Sequence, residues 1–134
     1  MILLDTHVVI WWANGDLERL SPAARETIDQ ACVTTTQSLM VSAISCWEVA
    51  MLVQRGRLAL SVDCDRWLML LSAIPAVQLV PLTPAVAVSA TQLPGAFHPD
   101  PVDRFLVALA RQRAVPLITA DSKIRDYPHV QTLW

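Results

Sequence analysis

The chain has 134 residues, enough for one domain spanning 1–134 that buries a core without disulfide or metal staples. Hydrophobic residues make up 54% and charged ones 16%, which excludes a disordered chain and leaves apolar surface for a partner. A net charge of −2 excludes tight, nonspecific nucleic-acid binding through a broad basic face, so any chemistry on nucleic acid must come from local groups.

In chain order, MILLDT at 1–6 reads as a first strand. Its apolar run is stopped by Asp5, too soon for a signal peptide or membrane anchor, and the expected location is cytoplasmic. Helical patterns follow in HVVIWWAN and, after the Ser21-Pro22 start signal, in AARETIDQA. SLMVS predicts a second strand. SAISCWEVAMLVQRG predicts a helix with Ser42 as N-cap and Gly56 at its end. Cys32, Cys46 and Cys64 are odd in number and lack C-x-x-C spacing, which favours neither a disulfide framework nor a zinc site. Residues 62–74 read as helix, VQLVPLT as a third strand and AVAVSATQL as another helix. Residues 67–99 carry no charge, but prolines cut them into pieces too short to span a membrane, so buried helix and strand are expected. A long helix then begins near residue 100, and VPLITAD is expected as the last strand. Short apolar runs alternating with amphipathic ones predict an α/β fold with a parallel sheet.

Two strands end in an aspartate. In open parallel sheets ligands bind beyond the carboxyl ends of the strands, which would place Asp5 and Asp121 on the functional edge with Thr119 on the same side as Asp121. The competing reading is that a polar residue simply ends a strand. Glu48 is the one charge in AISCWEVAMLV, and a carboxylate in so apolar a helix needs a partner or a metal. Ser45 and Ser42 precede it at spacings of three, so the stripe is either the solvent face of the helix or the wall of a polar cleft.

HPDPVDRFLVALARQ at 98–112 places Asp100 as an N-cap before a proline and Asp103 where a capping box puts its acid. Capping alone would account for both. Four carboxylates, Asp5, Glu48, Asp103 and Asp121, nonetheless form the oxygen donor set that Mg²⁺ takes in metal-assisted phosphodiester hydrolysis.

Taken together, LLDTHVVIWWANG with LSPAARETI, VSAISCWEVAMLVQRGRL, HPDPVDRFLVALA with its D-P-x-D-R pattern, and VPLITADSKIRDY with its T-A-D resemble, in order along the chain, the PIN-domain ribonucleases, in particular the VapC toxins of bacterial type II toxin–antitoxin pairs. The resemblance implies a PIN-like central parallel sheet with helices on both faces. It implies that Asp5, Glu48, Asp103 and Asp121 hold Mg²⁺ or Mn²⁺ and activate water, with Asp5 and Asp103 as direct ligands. Thr6, Ser42 and Thr119 match supporting polar positions. Arg104 would hold a phosphate or pair with an acid. His7 and His98 are read as structural, because oxygen ligands suit such a metal better. Trp11, Trp12, Trp47 and Trp67 are read as core or interface in preference to base-stacking platforms.

The expected function is that of a toxin cutting structured or single-stranded RNA, a transfer RNA being one candidate, with recognition by shape and by arginines such as Arg55, Arg57, Arg111 and Arg113. A homodimer and a small VapB-like antitoxin are the implied partners, and no membrane is. The alternative is a non-catalytic PIN-like module that binds RNA or protein, whose signature would be missing acids; none of the four is missing. A phosphatase of the D-x-D-x-T type is not supported at DTHVV.

Overall fold

The computed structural model describes residues 1–34 and 36–134. The elements run β1 (Ile2–Leu4), α1 (Thr6–Ala13), a 3₁₀ turn (Leu17–Arg19), α2 (Pro22–Thr34), β2 (Leu39–Ser42), α3 (Ala43–Gln54), α4 (Cys64–Ser72), β3 (Val77–Val80), α5 (Pro84–Ser89), α6 (Pro101–Arg113), β4 (Leu117–Ile118), α7 (Ser122–Arg125) and β5 (Thr132–Leu133). All pairings are parallel, and the sheet order is β3-β2-β1-β4-β5. The expected α/β architecture is therefore the observed one.

The strand period of two sorts the core into two layers. Leu3, Met40 and Leu117 point to one face, where they meet Val86 of α5, Leu106 and Ala110 of α6, and Ile124 of α7. Leu4, Leu39, Val41 and Ile118 point to the other, against Val8 and Val9 of α1, Ile28 of α2 and Trp67 and Leu71 of α4. With helices on both faces the inner strands are apolar throughout, as a covered parallel sheet requires. Each fully buried Leu or Ile contributes about 1.5–3 kcal/mol through removal from water.

Several boundaries differ from the sequence reading. The first strand stops at Leu4, because Asp5 is already the N-cap of α1 and its carboxylate accepts the Thr6 N–H. The third strand stops at Val80: Pro81 has no N–H to continue the ladder, and Thr83 caps α5. β4 is not the last strand, since Leu117 N–H bonds Gln131 O and Thr119 N–H bonds Leu133 O to add β5 beside it. A two-residue strand in a polar tail leaves too little alternation to read.

The uncharged stretch is also not uniformly buried. In α4 only Trp67 and Leu71, four apart, face the core, while Leu68, Met69 and Leu70 are exposed, as are Leu79, Leu82 and Val88. Absence of charge marked one buried face and one bare apolar face.

α6 ends on Ala114, an exposed residue held in the left-handed region at φ 53°. An L side chain there costs about 1–2 kcal/mol, which glycine avoids, although glycine gives back part of the gain through unfolded-state entropy. We expect Ala114→Gly to stabilise the protein by about 1 kcal/mol, read as a rise in Tm of roughly 4 °C. An unchanged or lower Tm in a thermal melt would show that the turn holds no such strain.

Candidate functional site

The strand order reverses between β1 and β4, and a parallel sheet opens a crevice at such a point, beyond the carboxyl ends of the two strands. Asp5 follows β1 and Thr119 follows β4. One Asp5 oxygen, Oδ1, accepts the Thr6 N–H at 2.7 Å, and the other, Oδ2, accepts the Thr119 hydroxyl at 2.7 Å. The Thr119 oxygen in turn accepts the Asp121 N–H at 3.0 Å, so one threonine orients both strand-end acids. Asp5 is only 4% exposed. Burial raises its pKa, opposed by the Thr119 hydroxyl, His7 and the Thr6 amide, while the Asp121 charge adds to the rise.

From the other side of the crevice, α3 brings Glu48. The Thr6 hydroxyl donates to Ser45 Oγ at 2.9 Å, a fully buried bond that joins α1 to α3 one turn before Glu48. Ser42 is buried as the N-cap and accepts the Ile44 N–H. The Ser42, Ser45, Glu48 stripe thus faces inward, with both serines buried, and is not the solvent face of the helix. Glu48 is half-buried and its pKa is raised, chiefly by burial; Thr6 and His7 oppose the rise, and Asp5 and Asp100 reinforce it.

The start of α6 supplies the remaining groups. Asp100 Oδ1 accepts the N–H of Val102 at 2.9 Å and of Asp103 at 3.3 Å, an N-cap as expected. The Asp103 carboxylate does not complete a capping box; its Oδ2 lies 3.2 Å from His98 Nε2. Its pKa is pushed up to about 7, first by burial and then by the charges of Asp5, Asp100, Asp121 and Glu48. All four predicted acids therefore share one field. Asp121 caps α7 through Oδ1, which accepts the Lys123 N–H.

Arg104 Nε donates to Ala90 O at 2.8 Å and its Nη1 to Phe97 O and His98 O at 3.1 and 3.3 Å, so it clamps the segment before α6, and among the described residues it is in no ion pair with an acid.

Two groups escaped the sequence reading. Ser45 was visible only as part of the stripe, and its partner Thr6 lies 39 residues away. His98 does more than the structural role expected of it: its Nε2 is buried with no hydrogen-bond partner, and a ring nitrogen lies with an oxygen of Asp103 and one of Asp121 such that all three atoms are within 4.8 Å of one another. Two carboxylates and an imidazole nitrogen fit a divalent cation, which would offset both the burial and the neighbouring negative charges that raise the Asp103 pKa. The acids open to solvent on two sides, through a recess of about 300 Å³ lined by Asp5, His7, Trp11 and Asp121, and a larger apolar groove of about 590 Å³ where Trp47 and Phe105 flank Glu48 and Asp100. Trp67 is buried, Trp11 and Trp12 pack partly against the core, and Trp47 is exposed. Among the described residues no helix is long and apolar enough to cross a membrane.

Known proteins resemble the chain along its whole length. Residues 2–130 match the PIN domain. Ribonuclease VapC22 of Mycobacterium tuberculosis (strain ATCC 25618 / H37Rv) is 37% identical over 135 residues, covering 99% of this chain and 98% of that one. Among solved structures, VapBC2 from Rickettsia felis bound to a DNA fragment from their promoter superposes with a TM-score of 0.71 at 14% identity, over 99% of this chain and 98% of that chain. Mycobacterium tuberculosis VapC20, described as a sarcin–ricin loop cleaving toxin, gives 0.62 at 16% identity, over 98% of both. The two structural likenesses show the fold, and the sequence matches show descent: the chain belongs to the PIN domain family, among its VapC ribonucleases.

Proposed function

We propose that residues 1–134 form a single PIN domain acting as the toxin of a type II toxin–antitoxin pair, a Mg²⁺- or Mn²⁺-dependent endoribonuclease in which Asp5, Glu48, Asp103 and Asp121 carry the metal site. The observation behind this reading is the convergence of carboxylates from four separate elements on one field at the carboxyl edge of β1 and β4. The cation would lower the pKa of an attacking water and offset charge developing on the phosphate. The protein's own groups hold the carboxylates ready. Thr6 N–H and the Thr119 hydroxyl fix Asp5 and leave lone pairs on both its oxygens, and the Thr6–Ser45 bond sets α3, and with it Glu48, against α1. Ser42 supports the site indirectly, as the cap that starts α3.

The names of similar proteins support RNA as substrate and an antitoxin as partner, since VapC22 is a ribonuclease, VapC20 is a sarcin–ricin loop cleaving toxin, and a structure of like fold is a toxin–antitoxin complex from Klebsiella pneumoniae. A small VapB-like antitoxin is the partner proposed here, and a transfer RNA is the first substrate to test. The site of action is the cytoplasm. The exposed apolar side chains of α4 and Trp47 support a homodimer or partner interface. Light scattering at micromolar concentration should therefore report a dimer of the free protein; a monomer with and without antitoxin would count against that interface.

Water attack needs no 2′-hydroxyl, so products should carry 3′-hydroxyl and 5′-phosphate ends, and EDTA should stop the reaction. Cleavage in EDTA, or 2′,3′-cyclic phosphate ends, would rule the mechanism out.

Asp103 offers a second check. Its pKa stands near 7 folded against 3.8 in the unfolded reference, so the folded state binds its proton more tightly. Stability from this group is fully present below about pH 4 and lost as pH rises through about 7. Asp103→Asn removes that loss while Asp100 keeps the cap. In EDTA the variant should melt progressively higher than the wild type between pH 4 and 8, by a few degrees at the upper end, where about 1 kcal/mol is worth roughly 4 °C. Cleavage should fall by about a hundredfold or more, and added Mg²⁺ should raise the Tm of the wild type more than that of the variant. A variant that melts lower at pH 8 and cuts normally would reduce Asp103 to a structural residue.

A further inference from the structure

We propose that His98 is a ligand of the same cation through Nε2, so that the site offers one nitrogen beside its carboxylate oxygens and discriminates among divalent ions on that account. The inference rests on the reading of the carboxylates as a metal site. It starts from a polar atom whose one polar contact is a proposed ligand: Nε2 is buried, makes no hydrogen bond, and lies 3.2 Å from Asp103 Oδ2. A histidine serving the core would have a partner for that nitrogen. A ring nitrogen of His98 and oxygens of Asp103 and Asp121 all lie within 4.8 Å of one another, and Nε2 is the nitrogen on the Asp103 side.

The placement is not a loose side chain's chance position. Pro99 restricts the His98 backbone to extended conformations, and the Arg104 guanidinium holds the carbonyls of Phe97 and His98 from behind. The imidazole lies against the Phe97 ring at 4.4 Å between centroids, and Phe97 lies against Tyr127 at 4.5 Å. Phe97 and Tyr127 pack in the same core layer as the buried face of α6. The ring is thus preorganised by groups that never touch the acids. Its chemistry has a consequence for the ion: oxygen donors suit Mg²⁺, whereas an imidazole nitrogen favours Mn²⁺ and the later transition metals, in rising order to Co²⁺ and Ni²⁺.

Pulsed EPR of the Mn²⁺-loaded protein tests this directly, because a coordinated imidazole imprints ¹⁴N modulation on the electron spin echo. His7 also stands beside Asp5, so the comparison needs both histidines. The expected result is modulation in the wild type and in His7→Gln, and its loss in His98→Gln. Titration should show Mn²⁺ affinity falling about tenfold in His98→Gln, with Mg²⁺ affinity changed less than about threefold. Absence of nitrogen modulation in the wild type overturns the proposal without recourse to any variant. So does modulation that survives His98→Gln, or an equal loss for both ions, which would mark His98 as a packing or charge partner of Asp103. Binding of Mn²⁺ without nitrogen leaves the carboxylate site standing; failure of the wild type to bind either ion removes the carboxylate reading and this one together.

Discussion

The Asp5 carboxylate is the joint on which the site depends. Its two oxygens bond to groups from opposite ends of the chain, Thr6 N–H and the Thr119 hydroxyl 114 residues away, and the second bond is made only when β4 has docked beside β1. A buried carboxylate without those donors would carry an uncompensated desolvation cost, so closing the sheet and forming the site are one event. Thr119 extends the joint to Asp121, and Thr6, through Ser45, extends it to α3.

Parallel topology then explains why acids from distant positions collect there. Every strand that is followed by a helix delivers that helix's N-terminus to the carboxyl edge of the sheet. Asp5, Ser42 and Asp121 cap the helices that follow β1, β2 and β4, and Asp100 caps α6 beside them. N-caps favour short oxygen-bearing side chains, and helix N-termini favour negative charge. Capping and catalysis therefore call for the same residue types at the same places. The positive ends of α1, α3 and α6 also offset part of the repulsion among the acids, although the raised pKa values of Asp5, Glu48 and Asp103 show that the offset is incomplete.

This overlap sets how much could be read before the structure. Asp5 and Asp121 were legible because an apolar run stopping at an acid is a local pattern, and Glu48 because a charge inside an apolar helix needs a partner. Thr119 was legible by its spacing from Asp121. Ser45, Arg104 and His98 were not, since what they do depends on tertiary partners: Ser45 meets a threonine 39 positions away, and Arg104 spends its guanidinium on backbone carbonyls where its position beside Asp103 pointed to an ion. Burial of residues 67–99 was overread for a related reason. Lack of charge is compatible with a face that docks on another protein, and α4 shows four-residue spacing of its two inward side chains only when its neighbours Leu68, Met69 and Leu70 are allowed to be exposed.

The segment HPDPVDR is best understood as one device with divided labour. Pro101 in the first turn of α6 and the Asp100 cap fix where the helix begins, which fixes the azimuth at which Asp103 leaves it. Arg104, one position on and so about 100° around the helix, reaches back instead of forward and ties down the carbonyls of Phe97 and His98. The result is that His98 and Asp103, on opposite sides of two prolines, keep a fixed 3.2 Å relation that neither could hold alone. Arg104 thus acts on the acidic field without facing it: its guanidinium is spent on the carbonyls of Ala90, Phe97 and His98, and the near charge partner of Asp103 is the His98 ring that those bonds position.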